Sequence, residues 1–441
     1  MSYEVIALLM FSGMMLLLLS GQRVFAVIGF VGAFSALVLW GEGGAELSFT
    51  AIMKLMKWYP LLTLPLFVFM GYMLAESRIA DDLYKMFHVW FGPVRGGLAI
   101  GTILMMVIIS AINGLSVAGL AVGATIALPE LLRRGYDKVM TTGVIMAGST
   151  LGILIPPSVV LVLYGMIARQ PVGNLWLAGV FPGLLMATMF ILYVVIRSWL
   201  QPHVAPALPK AERDEYSWAD KLKLLSAGLI PLGIFVTMTG LFITGVTSLV
   251  ESSAVGVIGS LVAAILRRRL TLKVLHDTTR KTLGISAMFF WIITAALCFG
   301  AVFDGLGAVR SIEALFLGEW GLEPWMVLVL MQATFLILGI FLDDTAMLVI
   351  VAPLFIPLAA ALGFDLVWYG VLYTITCQIA YLTPPFGYNL FLMRAMAPPD
   401  VTLVDIYRSV APFVAIMLLT LIIIGLFPEI ALWLPQHVYS K

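Results

Sequence analysis

Two double prolines, Pro156-Pro157 and Pro384-Pro385, stand in the middle of apolar stretches. Proline lacks a backbone N–H group and its ring clashes with the carbonyl one turn earlier, so each stretch must form two half-helices. The first N–H groups of the second half-helix have no helical partner and carry partial positive charge, which suits an anionic group. The residues predicted to bind such an anion are Pro156, Pro157, Ser158, Pro384, Pro385, Gly387 and Arg394. Arg394 can bind a carboxylate there or extend to a polar interface, and the sequence leaves both open.

Two other apolar stretches are interrupted by short polar segments, residues 111–116 and 343–345. Their hydroxyl, amide and carboxylate oxygens are hard ligands, which suit a small cation such as sodium better than a transition metal. The residues predicted to bind the cation are Asn113, Ser116, Asp343, Asp344, Thr345 and Thr383. Of the two neighbouring carboxylates we favour Asp343, although the pair also fits a solvated turn between two helices.

The composition predicts a protein that crosses a membrane many times. Of its 441 residues, 62% are hydrophobic and 11% are charged, and the mean hydropathy is +1.07. A soluble domain has roughly 45–50% apolar and about 25% charged residues. This composition makes membrane lipids the expected surroundings, and the net charge of +1 gives no sign of a nucleic-acid partner.

The motifs of metalloproteases and P-loop ATPases are absent from the sequence, and the adjacent Asp343 and Asp344 cannot face each other from separate helices as paired catalytic carboxylates do. We therefore do not expect an enzyme.

The elements that carry these residues occur twice, as a re-entrant hairpin followed by a broken helix. The first hairpin is predicted at about 97–132 and the first broken helix at about 139–170; the second pair is predicted at about 325–362 and 366–397. A final single span is predicted near 410–434. Unpaired backbone inside lipid costs several kcal/mol per group, so broken helices survive only where they are buried in protein or line a cavity.

An internal repeat relates the two halves at a constant offset of 228 residues. The matching pairs are Pro129 and Pro357, Gly135 and Gly363, Asp137 and Asp365, Pro156 and Pro384, and Pro157 and Pro385. The hairpin tips also match, because Ser116 corresponds to Asp344. We predict a first repeat at 1–200, a cytoplasmic linker at 201–223 and a second repeat at 224–441.

The distribution of charge predicts how the two repeats are oriented. With five crossings and one hairpin in each half, one set of loops holds all but five of the 25 Lys and Arg residues. The five exceptions are Lys54, Lys57, Arg169, Arg310 and Lys441. The positive-inside rule makes the first set cytoplasmic and places both termini outside. An odd number of crossings inverts the second half, and inverted repeats with paired broken helices are typical of secondary transporters, whereas a passive channel would not need them.

These motifs closely resemble the large membrane subunit (DctM-like, or M subunit) of TRAP transporters, the tripartite ATP-independent periplasmic transporters. The resemblance covers nearly the whole chain. It rests on Pro65-Leu-Phe-Val-Phe-Met-Gly71, Arg95-Gly-Gly-Leu98, Pro129-Glu130, Gly135-Tyr-Asp137, Gly152-Ile-Leu-Ile-Pro-Pro-Ser158, Ala178-Gly-Val-Phe-Pro-Gly183, Gly339-Ile-Phe-Leu-Asp343, Pro353 to Pro357, Thr383-Pro-Pro-Phe-Gly387 and Leu434-Pro435. The chain departs from the family at the first hairpin tip, where Gly114-Leu115-Ser116 replaces the usual Gly-Ser pair.

The resemblance implies an elevator-type transporter that imports an organic acid with sodium ions across the bacterial inner membrane. It also implies two partners, a periplasmic substrate-binding protein and a separate small four-span membrane subunit. The family's sodium sites lie at the hairpins and the broken helices, which correspond here to Asn113, Ser116, Asp343, Thr383 and the proline pairs. The alternative is a stand-alone sodium–carboxylate symporter of the same superfamily, which would need no binding protein.

Overall fold

A computed structural model describes residues 3–20, 22–41, 43–77, 79–114, 116–209, 217–308, 310, 314, 321–340, 342, 344–385 and 387–439. Throughout these residues the regular structure is helical. Within the described ranges, seven helices are long and apolar enough to cross a membrane, among them Val172–Leu200 and Leu403–Leu426. The prediction of an all-α polytopic membrane protein is confirmed.

The described part of the first half of the chain forms ten α-helices. They are α1 (Tyr3–Leu19), α2 (Val24–Ser35), α3 (Gly44–Met56), α4 (Thr63–Glu76), α5 (Ile79–Phe91), α6 (Gly97–Asn113), α7 (Ser116–Arg133), α8 (Lys138–Thr150), α9 (Val159–Ala168) and α10 (Val172–Leu200). A π-helical turn at Ala36–Trp40 extends α2, and 3-10 turns stand at Tyr59–Leu62 and Leu151–Ile153.

The described part of the second half forms nine α-helices. They are α11 (Trp218–Ile243), α12 (Leu249–Leu266), α13 (Leu272–Gly305), α14 (Pro324–Gly339), α15 (Asp344–Ala361), α16 (Leu366–Leu382), α17 (Tyr388–Met396), α18 (Leu403–Leu426) and α19 (Glu429–Tyr439). Helices α7 and α15 begin and end at positions that differ by the repeat offset of 228, and α8 and α16 begin at such positions.

A glycine and an aspartate, both part of the repeat, lie between each hairpin and its broken helix. Gly135 and Gly363 have φ angles of +77° and +80°, a conformation that glycine adopts without strain and that ends the preceding helix. Asp137 then accepts a hydrogen bond of 3.0 Å from the Met140 N–H, and Asp365 accepts one of 2.8 Å from the Val367 N–H. Both aspartates are therefore N-caps, which begin the broken helices at equivalent positions.

The broken helices pack across the two halves of the chain. Helix α8 packs against α6 and α7 of its own half, but α9, which follows the first break, packs against α15 of the other hairpin. In the same way α16 packs against α14, whereas α17 packs against α7. Each hairpin is thus in contact with both broken helices. Helix α13 packs against α2, α3 and α4, and also against α15 of the second hairpin.

The final predicted span has different bounds in the structure. The span is present as α18, but the bounds predicted near 410–434 are wrong, because α18 ends at Leu426 and α19 begins at Glu429. Pro428 stands between them and has no N–H group to continue the helix. Helix α13 has 34 residues, so at 1.5 Å per residue it is about 50 Å long.

Candidate ion and substrate site

The first break is a fully buried turn between α8 and α9. It contains the cis bond Pro156-Pro157 and ends at Ser158, the N-cap of α9. The Ser158 Oγ donates a hydrogen bond to the carbonyl of Ile153 and accepts one of 3.1 Å from the Leu161 N–H. The hydroxyl that the sequence offered to a substrate is therefore engaged by the backbone of the break itself.

The tip of the first hairpin contacts this break directly. Gly114, at φ +64°, ends α6, and its carbonyl accepts a 3.3 Å hydrogen bond from the Val159 N–H at the start of α9. This bond joins the first hairpin tip to the first break. It also means that one of the N–H groups predicted to face an anion faces a hairpin carbonyl. Of Asn113 the structure describes the backbone, as the last residue of α6.

Three buried polar side chains, Ser116, Ser149 and Asn389, form what we call the serine–asparagine cluster. The Asn389 Nδ2 donates to the Ser116 Oγ at 2.9 Å and to the Ser149 Oγ at 3.3 Å, and the two hydroxyl oxygens are 3.5 Å apart. The Asn389 Oδ1 is buried and has no hydrogen-bond partner among the described residues. The cluster joins the first hairpin, the end of α8 and the start of α17, so it connects the first half of the chain to the second break.

The second break has the same turn but a different environment. Thr383 follows α16 in an extended conformation, and its Oγ1 donates a 2.7 Å hydrogen bond to the Ile379 carbonyl. Pro384 and Pro385, again joined by a cis bond, are exposed, in contrast to the buried prolines of the first break. Gly387 is buried and is the N-cap of α17. The second break is therefore open to its surroundings.

Arg394 lies in the last turn of α17, on the exposed side of the protein. The structure thus places it at the far end of the half-helix from Pro384-Pro385. Both interpretations of this residue, as a carboxylate ligand and as a residue that extends to the membrane surface, stay open.

The tip of the second hairpin is described only in part. Asp343 lies outside the described residues, and of Thr345 the structure describes the backbone. Asp344 is half-buried and is the first residue of α15, and its carbonyl accepts a 2.6 Å hydrogen bond from the hydroxyl of Tyr373 on α16. The second tip therefore also contacts the broken helix of its own half.

Several polar residues near the breaks were not predicted from the sequence. Gln378 donates a 2.7 Å hydrogen bond from its Nε2 to the carbonyl of Thr150, and the Thr376 hydroxyl donates one of 2.6 Å to the Gln332 Oε1. A sequence signal for Ser149, Thr376 and Gln378 does exist: each is a polar residue inside an apolar run, within about two turns of a double proline. Asn389 follows its proline pair with no counterpart at the repeat offset, so only the structure identifies it.

The fold and the converging hairpins and breaks define a polytopic membrane transport protein. A family model described as "Tripartite ATP-independent periplasmic transporter, DctM component" matches residues 11–430. The chain belongs to this family, whose curated relatives are named as large permease proteins of TRAP transporters. The family resemblance seen in the sequence is confirmed.

Individual relatives differ in the substrate that they are named for. The chain is 32% identical over 412 residues to the C4-dicarboxylate TRAP transporter large permease protein DctM of Pseudomonas aeruginosa, with 93% of each chain covered. It is 28% identical to the ectoine TRAP transporter large permease protein TeaC of Halomonas elongata, covering 93% of this chain and 92% of that protein. It is also 28% identical to the sialic acid TRAP transporter permease protein SiaT of Haemophilus influenzae, covering 86% of this chain and 60% of SiaT.

A solved structure shares the fold. The YdaH transporter of Alcanivorax borkumensis, whose crystal structure is described as having an unusual topology, superimposes with a TM-score of 0.66 over 90% of this chain and 91% of YdaH. The two sequences are 14% identical, so this likeness concerns the fold alone.

Proposed function

We propose that this chain is the translocating subunit of a sodium-driven importer of an organic carboxylate in the bacterial inner membrane. The observation that carries the proposal is the serine–asparagine cluster, in which a hairpin tip and both broken helices place polar groups together in a buried site. These groups hydrogen-bond one another except at the Asn389 Oδ1, and a buried acceptor without a described partner is costly unless it binds something.

The cluster supports binding of a sodium ion. The oxygens of Ser116, Ser149 and Asn389 are hard ligands, and the Asn389 Oδ1 is buried without a described partner. Leaving a buried acceptor unpaired costs about 1–3 kcal/mol, which coordination of a cation would offset. A half-turn of the Asn389 amide exchanges its nitrogen and oxygen, so Oδ1 then faces the two hydroxyl oxygens. By their place at the second tip and break, Asp343, Asp344, Thr345 and Thr383 form a second sodium site in this proposal.

The second break supports binding of the carboxylate. Because Pro384 and Pro385 are exposed, a substrate can approach the N-terminus of α17, where free N–H groups favour a negative charge. Asn389 is the second residue of this same nine-residue helix. Sodium bound at the cluster and a carboxylate bound at the break would therefore act on one short helix, which is a simple physical basis for coupling their transport.

The proposal includes a periplasmic binding protein and a separate small membrane subunit, and places both termini in the periplasm. The name "large permease protein" of the Pseudomonas aeruginosa relative fits a two-subunit permease, and SiaT is longer than the region that this chain matches. In the same proposal the broken helices and hairpins move as one body against α13 and the helices around it. That movement is the elevator step.

Uptake by proteoliposomes tests this function. The chain is reconstituted with its small subunit, and uptake of radiolabelled succinate, malate and other organic acids is measured with the binding protein present. We expect accumulation that requires an inward sodium gradient and stops when potassium replaces sodium. Equal uptake in both salts would contradict sodium coupling, and undiminished uptake without the binding protein would favour the stand-alone symporter.

A further inference from the structure

The two breaks are held by side chains at equivalent places on the helices that follow them. Trp176 is the fifth residue of α10, and its Nε1 donates a 3.4 Å hydrogen bond to the carbonyl of Ser158. Tyr407 is the fifth residue of α18, and its hydroxyl donates a 2.9 Å hydrogen bond to the carbonyl of Pro385. Each broken helix is thus connected to the next helix by one donor at its break.

The first of these connections lies in a rigid environment. Trp176 is buried, and Gly179 and Gly183 bring α10 so close to the break that a Cβ atom at either position would overlap Leu154 or Ile155. Close packing of this kind leaves no room for the break to move independently of α10.

The second connection lies in an open environment. Pro384 and Pro385 are exposed, and Tyr407 is only half-buried. Among the described residues, the hydrogen bond that links the break to α18 comes from the Tyr407 hydroxyl, in an exposed place. A hydrogen bond at such a place can exchange with water at a small net cost, equivalent to about a two- to tenfold change in an equilibrium constant.

The helix that carries Tyr407 is itself fixed at its N-terminus. Asp405 forms an ion pair with Lys138, the first residue of α8, at 3.0 Å, and the same lysine donates to the carbonyl of Asp400 at 2.9 Å. Thr402 and Asp405 also cap α18 reciprocally. When the Tyr407 bond opens, the break and α17 are therefore the parts that can move, while the start of α18 stays attached to α8.

We propose that Tyr407 is a positioning residue that acts as a releasable latch on the second break. Its hydroxyl holds the Pro385 carbonyl, and with it the N-terminus of α17, in the geometry that binds the carboxylate. Opening of this bond lets the second break move and the substrate leave, while the first break stays closed. The inference rests on the proposed function and adds to it which of the two breaks opens and what holds it shut.

Hydrogen–deuterium exchange of the purified full-length chain in lipid nanodiscs tests the latch without any substrate. The variant Tyr407→Phe removes the hydroxyl alone, and Tyr193→Phe is the control, because it removes a tyrosine hydroxyl on α10 that bonds Arg197 of the same helix and not a break. We expect amides of residues 387–392 to exchange about two- to tenfold faster in Tyr407→Phe than in the wild type or the control. Peptides that cover the first break should be unchanged. Unaltered exchange at 387–392, or equal acceleration at both breaks, would overturn the proposal.

Uptake kinetics provide a second readout that a general loss of stability would not imitate. In proteoliposomes we expect Tyr407→Phe to raise KM about two- to tenfold without lowering the maximal rate. A lower maximal rate at unchanged KM would contradict a role in holding the site. If the wild type shows no sodium-driven uptake, the proposed function fails, and the exchange experiment still decides whether Tyr407 holds the break.

Discussion

Gln378 donates a hydrogen bond of 2.7 Å to the carbonyl of Thr150, the residue 228 positions earlier in the chain. This separation is the offset that relates the two proline pairs, so equivalent positions of the two broken helices are in direct contact. Equivalent positions can touch only where the two halves of the chain meet. The two helices therefore approach each other just before their breaks, at the centre of the protein.

Removing this contact should destabilise the protein. In Gln378→Leu the Thr150 carbonyl loses its side-chain donor inside the protein, at an expected cost of about 1–3 kcal/mol in the free energy of unfolding. The matched control is Gln170→Leu, at a half-buried loop position, where we expect a change within about 0.5 kcal/mol. Thermal unfolding in detergent measures both, and equal effects of the two variants would contradict the importance of the contact.

Removing an oxygen ligand from the serine–asparagine cluster should lower the affinity for sodium. Asn389→Ala removes an oxygen ligand, and an interaction with a charged group is worth about 1.5–3 kcal/mol, so the sodium concentration for half-maximal uptake should rise ten- to hundredfold. Ser149→Ala should act in the same direction. Asn174→Ala, at a half-buried asparagine of α10, serves as the control. An unchanged sodium dependence in Asn389→Ala would remove this residue from the site.

Removing the carboxylate of Asp343 should abolish the coupling of substrate uptake to sodium. We expect Asp343→Ala to abolish sodium-dependent uptake while expression and folding persist, because a cation inside the membrane needs a compensating charge. Asp304→Ala, which removes an exposed carboxylate near the end of α13, should transport normally. Normal uptake by Asp343→Ala would remove Asp343 from the site.

Close packing at the first break predicts a steric effect of a single methyl group. In Gly179→Ala the added Cβ would overlap the carbonyl of Leu154, so we expect the amount of folded protein to fall sharply. Gly233→Ala in α11 has no atom within 4 Å of the added Cβ and should be tolerated or slightly stabilising. Size-exclusion chromatography of the two variants compares them directly. Equal yields of folded protein would show that α10 can move away from the break.

Some features of the fold could be predicted from the sequence because local chemistry determines them. Double prolines break helices wherever they occur, Gly135 and Gly363 end helices, and Asp137 and Asp365 begin them. Apolar runs predict the membrane spans for the same reason. Pro428 breaks the last apolar run as the other prolines break theirs, so the last span ends before the predicted residue 434.

The contacts within the site depend on which helices pack against each other. That packing brings together residues far apart in the chain, so no short stretch of sequence predicts it. Ser116 was predicted, but its partner Asn389 stands 273 residues away and has no counterpart in the repeat. Ser158 was assigned to the substrate because its type suited an anion, yet its hydroxyl caps its own helix. The difference in exposure between Pro156-Pro157 and Pro384-Pro385 could not be predicted either, since both pairs lie within similar apolar stretches.

Sodium binding to the purified chain tests the central claim most directly. The thermal unfolding midpoint is measured as sodium chloride replaces potassium chloride at constant ionic strength. Binding to the folded state alone stabilises it by RT ln(1 + [Na⁺]/Kd), about 2.7 kcal/mol at a hundredfold excess over Kd. We predict a midpoint that rises with sodium in the wild type and needs at least tenfold more sodium in Asn389→Ala. Identical midpoints of the wild type in the two salts would contradict the account.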